Sequence, residues 1–558
     1  MSVVLSEHLP LLASAPNGIQ KLRGLILELA VRGKLVPQDP NDEPASELLK
    51  RIAKERTLLE SEGRIKKSKS IPVVDEAEQP FAVSDGWVWS RLSVISLINP
   101  RNSADDSLVA SFVPMAMIGT NFDGRHSQEH RKWAEIKQGF THFAEGDIGV
   151  AKITPCFENS KACVFENLQS GIGAGTTELH IVRPISNTLV PRFVLAYLKA
   201  PIFLQVGETR MTGTAGQKRL PKDFIELNPF PLPPLAEQHR IVAKVDELMA
   251  LCDRLEQEVG AGGTAHAKLV ETLLDTFTQS TDADDLAANW QRLAEHFDTL
   301  FTTEASIDAL KQAILQLAVM GKLVPQDRND EPGSELVKRI AKERARLEAK
   351  GKIKKSKATP LDSEDSPPFE IPSGWALTRL SDLTLILNGR AYSKDELLSE
   401  GVPVLRVGNL FTSNHWYYSN LQLEDDKYCD QGDLLYSWSA SFGPFIWQGP
   451  KVIYHYHIWK LRLFDELSLS KKFLYKFLLE KTTEIKAAGH GVSMIHMTKE
   501  KMEKIIVPLP PFAEQHRIVA KVDELMALCD RLKADLDESR TRQDRLATTL
   551  IETALKAA

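Results

Sequence analysis

The sequence predicts an α+β protein in which two mixed α/β domains are joined by long antiparallel coiled-coil helices, in a pseudo-twofold, circularly permuted repeat. Two observations predict this class. The chain of 558 residues contains two different blocks that each occur twice, and the two segments framed by these blocks show little similarity to each other. A repeated frame around unlike segments indicates one architecture used twice.

The first repeated block is helical. Residues 22–72 recur as residues 310–360, 288 positions later, with 36 of 51 positions identical. Apolar residues at helical spacing, such as Leu22, Ile26 and Leu29, predict two helices around the turn GKLVPQDxNDEPxSEL. Each copy ends in a basic run, at 64–69 and 352–357. Such runs are either solvated helix ends or phosphate contacts, and the sequence leaves both interpretations open.

The second repeated block predicts a long helix. Residues 231–255 and 508–532 share PLPP(L/F)AEQHRIVAKVDELMALCDRL, 277 positions apart. Ile241, Val245, Leu248 and Cys252 follow the alternating spacing of four and three that is typical of a coiled-coil seam. An ordinary core helix is the alternative, but recurrence of the same heptad favours a spacer of about 40 residues, on the order of 60 Å long. The glycines within 260–263 predict a kink or a loosening of the helix in the first copy.

These blocks predict five regions along the chain. They are an N-terminal helical region (1–72), a first mixed domain (73–230), a central helical region (231–360), a second mixed domain (361–507) and a C-terminal long helix (508–558). The central region joins the second block directly to the first, whereas the two ends of the chain each carry one block. We therefore expect the first and last helices to pack together.

The two mixed domains carry matching landmarks. VPMAMIG at 113 corresponds to VPVLRVG at 402, and each domain continues through a Gly-Asp strand start, an apolar helix and a Gly-rich loop. One shared fold with different surfaces is predicted. Residues 93–230 contain 14 Lys and Arg against 13 Asp and Glu, and residues 381–507 contain 15 of each. With a net charge of −6, the composition alone does not suggest a nucleic-acid partner.

Motifs for catalysis and cofactor binding are not found in the sequence. It contains no GxxxxGK(S/T) loop, no (N/D/S)PP(Y/F/W) and no His/Cys cluster with zinc spacing. Gly171 to Gly175 read GIGAG, but a strand-like segment follows, so a β-turn is predicted rather than a cofactor loop. The five cysteines form no CxxC pair, and no apolar run approaches the roughly 20 residues needed to cross a bilayer. We expect a cytoplasmic protein without membrane contact.

The repeated helices, together with GTTELHIVRP from Gly175 and GDLLYSWSASFGPF from Gly432, resemble the specificity subunits of type I restriction–modification systems. The resemblance covers essentially the whole chain in the family's order. It implies two target-recognition domains, each reading one half of a gapped sequence in double-stranded DNA, with paired helices that set the gap.

The resemblance also implies which chemistry lies on other chains. This chain would bind no cofactor or metal and carry no catalytic residue. Two methylation subunits would supply the S-adenosylmethionine site, and two restriction (motor-nuclease) subunits could join them, with ATP and Mg²⁺ on those partners. A stand-alone DNA-modifying enzyme and a coiled-coil protein-interaction scaffold are the alternative functions. The pure chain would methylate DNA in the first case, and would make no sequence-dependent DNA contact in the second.

Candidate DNA contacts are polar and aromatic residues in loops that differ between the two domains. Lys and Arg pair with guanine edges or phosphates, and Asn or Gln with adenine. In the first domain the candidates are Lys152, Thr154, Glu158, Asn159, Lys161, Thr212, Thr214, Gln217, Lys218 and Arg219. In the second they are Arg406, Trp438, Ser439, Ser441, Phe442, Trp447, His490, Ser493, His496 and Thr498. For Trp438, Phe442 and Trp447, burial in a core or a subunit interface is the alternative interpretation.

Overall fold

The computed structural model describes residues 9–65, 71–185, 188–214, 216–280, 283–353, 361, 369–439, 441–488 and 497–557. The elements up to the first long helix are α1 (Leu9–Ser14), α2 (Gly18–Val31), α3 (Ala45–Ser61), β1 (Val88–Arg91), α4 (Leu92–Ile95), β2 (Ser96–Ile98), β3 (Val109–Val113), β4 (Glu129–Lys132), α5 (Trp133–Ile136), β5 (Thr141–Ala144), β6 (Ile148–Ala151), β7 (Ala162–Val164), β8 (Ile172–Gly175), β9 (Leu179–Pro184), α6 (Pro191–Lys199), α7 (Pro201–Arg210), α8 (Lys222–Leu227), β10 (Pro229–Leu232) and α9 (Leu235–Thr278).

After a helical connection, the remaining elements repeat the order of the strands, with differences among the short helices. They are α10 (Ala283–Glu295), α11 (Phe297–Leu300), α12 (Glu304–Val319), α13 (Gly333–Ala349), β11 (Ala376–Arg379), α14 (Leu380–Leu383), β12 (Thr384–Asn388), β13 (Val402–Leu405), α15 (Val407–Phe411), β14 (Tyr417–Ser419), β15 (Tyr428–Cys429), β16 (Leu434–Ser437), β17 (Gly443–Ile446), β18 (Val452–Tyr454), β19 (Ile458–Leu463), α16 (Lys471–Ala488), α17 (Lys499–Glu503), β20 (Ile506–Leu509) and α18 (Phe512–Ala557). The predicted α+β class, with two sheet-containing domains and long helices, is confirmed.

The chain forms two compact units. One comprises Met1–Gly263 and Ser539–Ala558, and the other comprises Thr264–Glu538. The helices α9 and α18, of 44 and 46 residues, each contribute to both units. Because α9 continues as one helix through Gly260, Gly262 and Gly263, the kink predicted at these glycines does not interrupt it.

The core of the first unit joins the beginning of the chain to its end. The seam residues Ile241, Val245 and Cys252 of α9 are each 0% exposed, in one cluster with the apolar side of α2. Ala547 of α18 belongs to the same cluster, and Lys21 of α2 donates a 2.6 Å hydrogen bond to a carboxylate oxygen of Asp544. The expected contact between the first and last helices is therefore present.

The second unit is built in the same way, except that α18 contributes its start and α9 contributes its end. Val270 and Leu274, near the end of α9, pack in one cluster with α12 and with Ile518 and Val522 at the start of α18. The seam residues at the start of each long helix are thus buried against a helix of the first repeated block. Further along the seam the two copies differ, because Val259 of α9 is 51% exposed whereas the corresponding Leu536 of α18 is half-buried against the core of the second unit.

A repeated buried cluster attaches each mixed domain to the start of its long helix. In the first unit the carboxylate of Glu237 accepts hydrogen bonds from Nε1 of Trp87 at 2.9 Å and Nε2 of Gln38 at 3.0 Å. Glu514 accepts the corresponding bonds from Trp375 and Gln326, at 3.1 and 2.7 Å. Burial is the main cause that raises the pKa of both glutamates. Their placement in the first helical turn also suits the helix dipole.

The two mixed domains have the same sheet topology. The first contains the four-stranded sheets β2-β9-β6-β7 and β4-β3-β8-β5, and the second contains β12-β19-β16-β17 and β14-β13-β18-β15. The pairing of β3 with β8 is parallel, as is that of β13 with β18, and all other pairs are antiparallel. The expectation of one shared fold is confirmed.

The GIGAG segment corrects one prediction. Only its first glycine, Gly171, has the positive φ of a turn among the five residues, and Ile172–Gly175 form β8. A Cβ atom at Gly175 would lie 2.1 Å from the carbonyl oxygen of Val113, and one at Gly173 would lie 2.3 Å from the ring of Phe143. The glycines thus allow close packing of β8, which periodicity alone does not reveal.

Candidate nucleic-acid interface

Strand register aligns the two domains residue by residue at one edge of their sheets. Ala151, the last residue of β6, pairs with Leu179, the first of β9, whereas Ser437 pairs with Ile458. The residues just beyond these pairs therefore correspond: Lys152 with Trp438, and Glu178 with His457. The backbone N–H of Lys152 donates to the carbonyl of Glu178 at 3.0 Å, and that of Trp438 donates to the carbonyl of His457 at 3.2 Å. The candidates at this edge thus occupy equivalent positions in one fold.

In the first domain the edge is formed by two hydrogen-bonded segments. The backbone N–H of Thr154 donates to the carbonyl of Lys218 at 3.0 Å, and that of Lys218 donates to Oγ1 of Thr154 at 3.1 Å. The backbone N–H of Leu220 donates to the carbonyl of Lys152 at 2.7 Å. The structure therefore brings together candidates from residues 152–161 and from residues 212–219, which are distant in sequence.

Exposure separates these candidates into two groups. Thr154 is 8% exposed and acts within the fold. Lys152 and Lys161 are half-buried, and Nζ of Lys161 donates to the carbonyl of Met115 at 3.0 Å. The exposed candidates, whose side chains can meet a ligand, are Glu158, Asn159, Thr212, Thr214, Gln217, Lys218 and Arg219.

A charged pair that sequence inspection missed lies at the same edge. The guanidinium of Arg219 donates to both carboxylate oxygens of Glu178, with Nη2 and Nε at 2.8 and 2.9 Å. This hydrogen bonding lowers the pKa of Glu178 and raises that of Arg219. Arginine donates well to guanine O6 and N7, and glutamate accepts from cytosine N4. The pair therefore presents both kinds of base-reading group in one place.

In the second domain the same edge is aromatic. Trp438 lies 5.7 Å from Trp459 in a stacked arrangement and 5.1 Å from His457 edge to face, measured between ring centroids. Its Nε1 donates to the carbonyl of Tyr456 at 2.8 Å. Ser439 is half-buried and Ser441 is exposed. Phe442, by contrast, is 7% exposed within the core, so burial is the better interpretation of this candidate.

Further aromatic and basic residues, which sequence inspection missed, surround Trp438. His455 and Tyr456 follow β18, and Tyr456 is 39% exposed. The backbone N–H of His455 donates to the carbonyl of Leu405 at 2.9 Å, next to the candidate Arg406, which is exposed. Burial, with His457 and Arg406 nearby, lowers the pKa of His455 to about 4. The YHYH sequence before β19 was the available signal, but only strand register places it beside Trp438.

The remaining candidates lie elsewhere or outside the described residues. Oγ1 of Thr498 accepts from the backbone N–H of Lys501 at 3.3 Å, which caps α17. Trp447 follows β17 and donates from Nε1 to the carbonyl of Pro450 at 2.8 Å. His490, Ser493 and His496 lie outside the described residues, as do positions 66–69 and 354–357 of the two basic runs.

Among the described residues, no group of three or more His, Cys, Asp or Glu side chains could hold a metal ion. A search of the same residues found no helix with the length and apolar character needed to cross a membrane.

Comparison with known proteins decides the family. The chain is 47% identical over 570 residues to the Escherichia coli EcoAI type I restriction enzyme specificity subunit, with 96% of this chain and 94% of the relative covered. It is 46% identical over 561 residues to the E. coli EcoEI specificity subunit, with the same coverage. The chain belongs to the specificity subunits of type I restriction enzymes.

Two further comparisons agree with this assignment. Residues 372–539 of the specificity subunit match the family described as type I restriction modification DNA specificity domain. One chain from a structure that describes the complex assembly and conformational transition of the type I R-M system shares its fold, with a TM-score of 0.53 at 19% identity. That alignment covers 85% of the specificity subunit and 99% of the other chain. As a specificity subunit, the chain is a DNA-recognition component of a type I restriction–modification system rather than its catalyst.

Proposed function

We propose that each of the two mixed domains reads one half of an asymmetric, gapped sequence in double-stranded DNA. The observation that carries this proposal is the edge at which β6 ends beside the start of β9, and β16 ends beside the start of β19. Its backbone is the same in both domains, but it carries Lys152, Glu178 and Arg219 in the first and Trp438, Tyr456 and His457 in the second. One scaffold with two different sets of base-reading groups suits two different half-sites.

The repeated helices hold the two domains and dock the catalytic subunits in this proposal. The buried clusters around Glu237 and Glu514 contain the same pairs of hydrogen-bonded atoms, although the domains that they attach differ. What is identical in both copies serves a role common to both half-sites. We propose that this shared role is to set the gap and to bind two methylation subunits. Two restriction subunits can join the same complex, and S-adenosylmethionine, ATP and Mg²⁺ bind to these partners.

Charge supports the dependence on partners. Residues 93–230 and 381–507 have nearly equal numbers of basic and acidic side chains, whereas neutralisation of phosphates supplies much of the affinity for DNA. The isolated subunit should therefore bind DNA weakly, and the methylation subunits should complete the positive surface. Tight binding by the isolated chain with little dependence on salt would contradict this part of the proposal.

The test is an exchange of one domain at a time. Methylation-sensitive sequencing of DNA from a host that carries this subunit with its methylation partners gives the two half-sites and their gap. Residues 73–230 are then replaced by those of another specificity subunit, and residues 361–507 in a matched second chimera. Each chimera should change one half of the methylated sequence and leave the other half and the gap intact. A change in both halves, or in neither, would refute the proposal.

A further inference from the structure

Lys199, the last residue of α6, is a basic side chain enclosed by the fold. It is 4% exposed, and it has no carboxylate within 4 Å in the part of the chain that the structure describes. Its Nζ donates instead to two backbone carbonyls, of Thr120 at 3.0 Å and of Ser160 at 2.7 Å. A buried charge that makes no ion pair in direct contact is costly, so its presence calls for a reason beyond packing.

The two carbonyls belong to the two loops that border the candidate DNA edge. Thr120 lies in the loop between β3 and β4, residues 114–128, and Ser160 lies in the loop between β6 and β7, residues 152–161. The second loop carries the candidate contacts Lys152, Glu158 and Asn159. Ser160 has a φ of 55°, in the left-handed region, so the hydrogen bond from Lys199 holds a turn that is otherwise strained. Lys199 thus ties both loops to the helix beneath them.

The second domain shows that the fold itself does not require this lysine. The glutamine of each EQHR sequence accepts a hydrogen bond from the backbone N–H of Val190 in the first domain and of Ser470 in the second, at 2.8 and 2.7 Å. Lys199 lies nine residues after Val190, and Leu479 lies nine residues after Ser470, so the two residues occupy equivalent positions in the two domains. Leu479 is apolar and packs against the core of its unit. The lysine is therefore specific to the first domain, where it contacts the loops, and is not part of the scaffold that both domains share.

We infer that Lys199 is a positioning residue for base reading by the first domain, because it fixes the loops 114–128 and 152–161 relative to each other. This inference rests on the proposed function of that edge. Burial lowers the pKa of Lys199 to about 8, against the opposing effect of Cys163 and Asp123. The ammonium form still predominates at neutral pH and donates a hydrogen bond to each carbonyl.

The test compares variants of the full subunit in complex with its methylation subunits. Lys199→Leu introduces the residue that the second domain carries, Lys199→Arg keeps a cationic donor, and Leu479→Met is the matched control. Methylation rates are measured on duplexes with the cognate sequence and with single base changes in either half-site. For Lys199→Leu, discrimination against changes in the first domain's half-site should fall at least tenfold, with discrimination in the other half unchanged. Lys199→Arg should restore part of it, and Leu479→Met should have no effect.

Three results would overturn the inference. They are unchanged discrimination in Lys199→Leu, an equal loss in both half-sites, and a failure of Lys199→Leu to fold, because Leu479 predicts that the scaffold tolerates leucine. Thermal unfolding measured on each variant identifies the last case. The proposed function itself fails separately, if the exchange of residues 73–230 leaves the methylated sequence unchanged.

Discussion

Replacing Glu480 with glutamine should stabilise the second unit at alkaline pH. Glu480 lies on α16 and is 9% exposed, and its Oε2 is buried without a hydrogen-bond partner among the described residues. Burial raises the pKa of Glu480 from 4.5 to about 7; neighbouring Glu484 raises it further, and Lys481 opposes the shift. Below pH 7 the side chain is therefore mostly neutral in the folded state.

The sign and size of the effect follow from this shift. Between pH 4.5 and 7 the folded state retains a proton that the unfolded state has lost, so the free energy of unfolding falls as pH rises through this range. A shift of about 2.5 pKa units corresponds to ~3 kcal/mol. Glutamine cannot ionise and keeps the shape of the neutral acid. Glu480→Gln should therefore match wild type near pH 4.5 and exceed its stability by up to ~3 kcal/mol at pH 8.

Urea unfolding at several pH values measures this difference, and hydrogen exchange of α16 peptides assigns it to the second unit. All other titrating groups are common to both proteins, so the difference between wild type and variant isolates Glu480. Glu400→Gln is the matched control, because Glu400 is an exposed glutamate of the same unit. Equal stabilities of wild type and Glu480→Gln at pH 8 would refute the reasoning.

Two further predictions concern the frame. Glu237→Ala leaves the Trp87 indole N–H without its acceptor and removes one of the two acceptors of the Gln38 amide. It should destabilise the first unit by ~2–4 kcal/mol, whereas Glu514→Ala should do the same to the second. Hydrogen exchange measures the stability of each unit separately. An equal loss of protection in both units, from either variant, would contradict the assignment of one glutamate cluster to each unit. Inserting four helical residues within 256–263 and four within 533–540 adds ~6 Å to each long helix, so the gap should grow by about one or two base pairs of 3.4 Å. Methylation-sensitive sequencing reads the gap, and an unchanged gap would show that these helices do not set it.

The frame could be predicted from the sequence because it is written twice. A heptad that recurs with one substitution in 25 residues identifies a helix more firmly than a single copy does. The sequence could not identify which surface buries the seam. Ile241 and Val245 pack against α2, a contact between residues more than 200 positions apart that heptad spacing cannot distinguish from pairing of two long helices.

The candidate site was predicted less completely. Loop position alone identified Lys218 and Arg219, which are exposed at the edge, but it left open whether Phe442 contacts DNA or lies in a core, and the structure buries it. His455 and Tyr456 were missed because their placement depends on the parallel pairing of β13 with β18. Lys199 stands at the end of an apolar helix, where a lysine is normally solvated, and only the fold reveals that two loops cover it.

The central claim is that the two edges meet different halves of one DNA sequence, and cross-linking tests it most directly. The photoreactive residue p-benzoylphenylalanine is introduced at Gln217 in one protein and at Ser441 in another, since both positions are exposed. Each is irradiated in complex with the methylation subunits and the cognate duplex, and the cross-linked bases are mapped. We expect position 217 to label one half-site and position 441 the other, on opposite sides of the gap. Labelling of the same half-site by both positions, or labelling independent of the sequence, would contradict the claim.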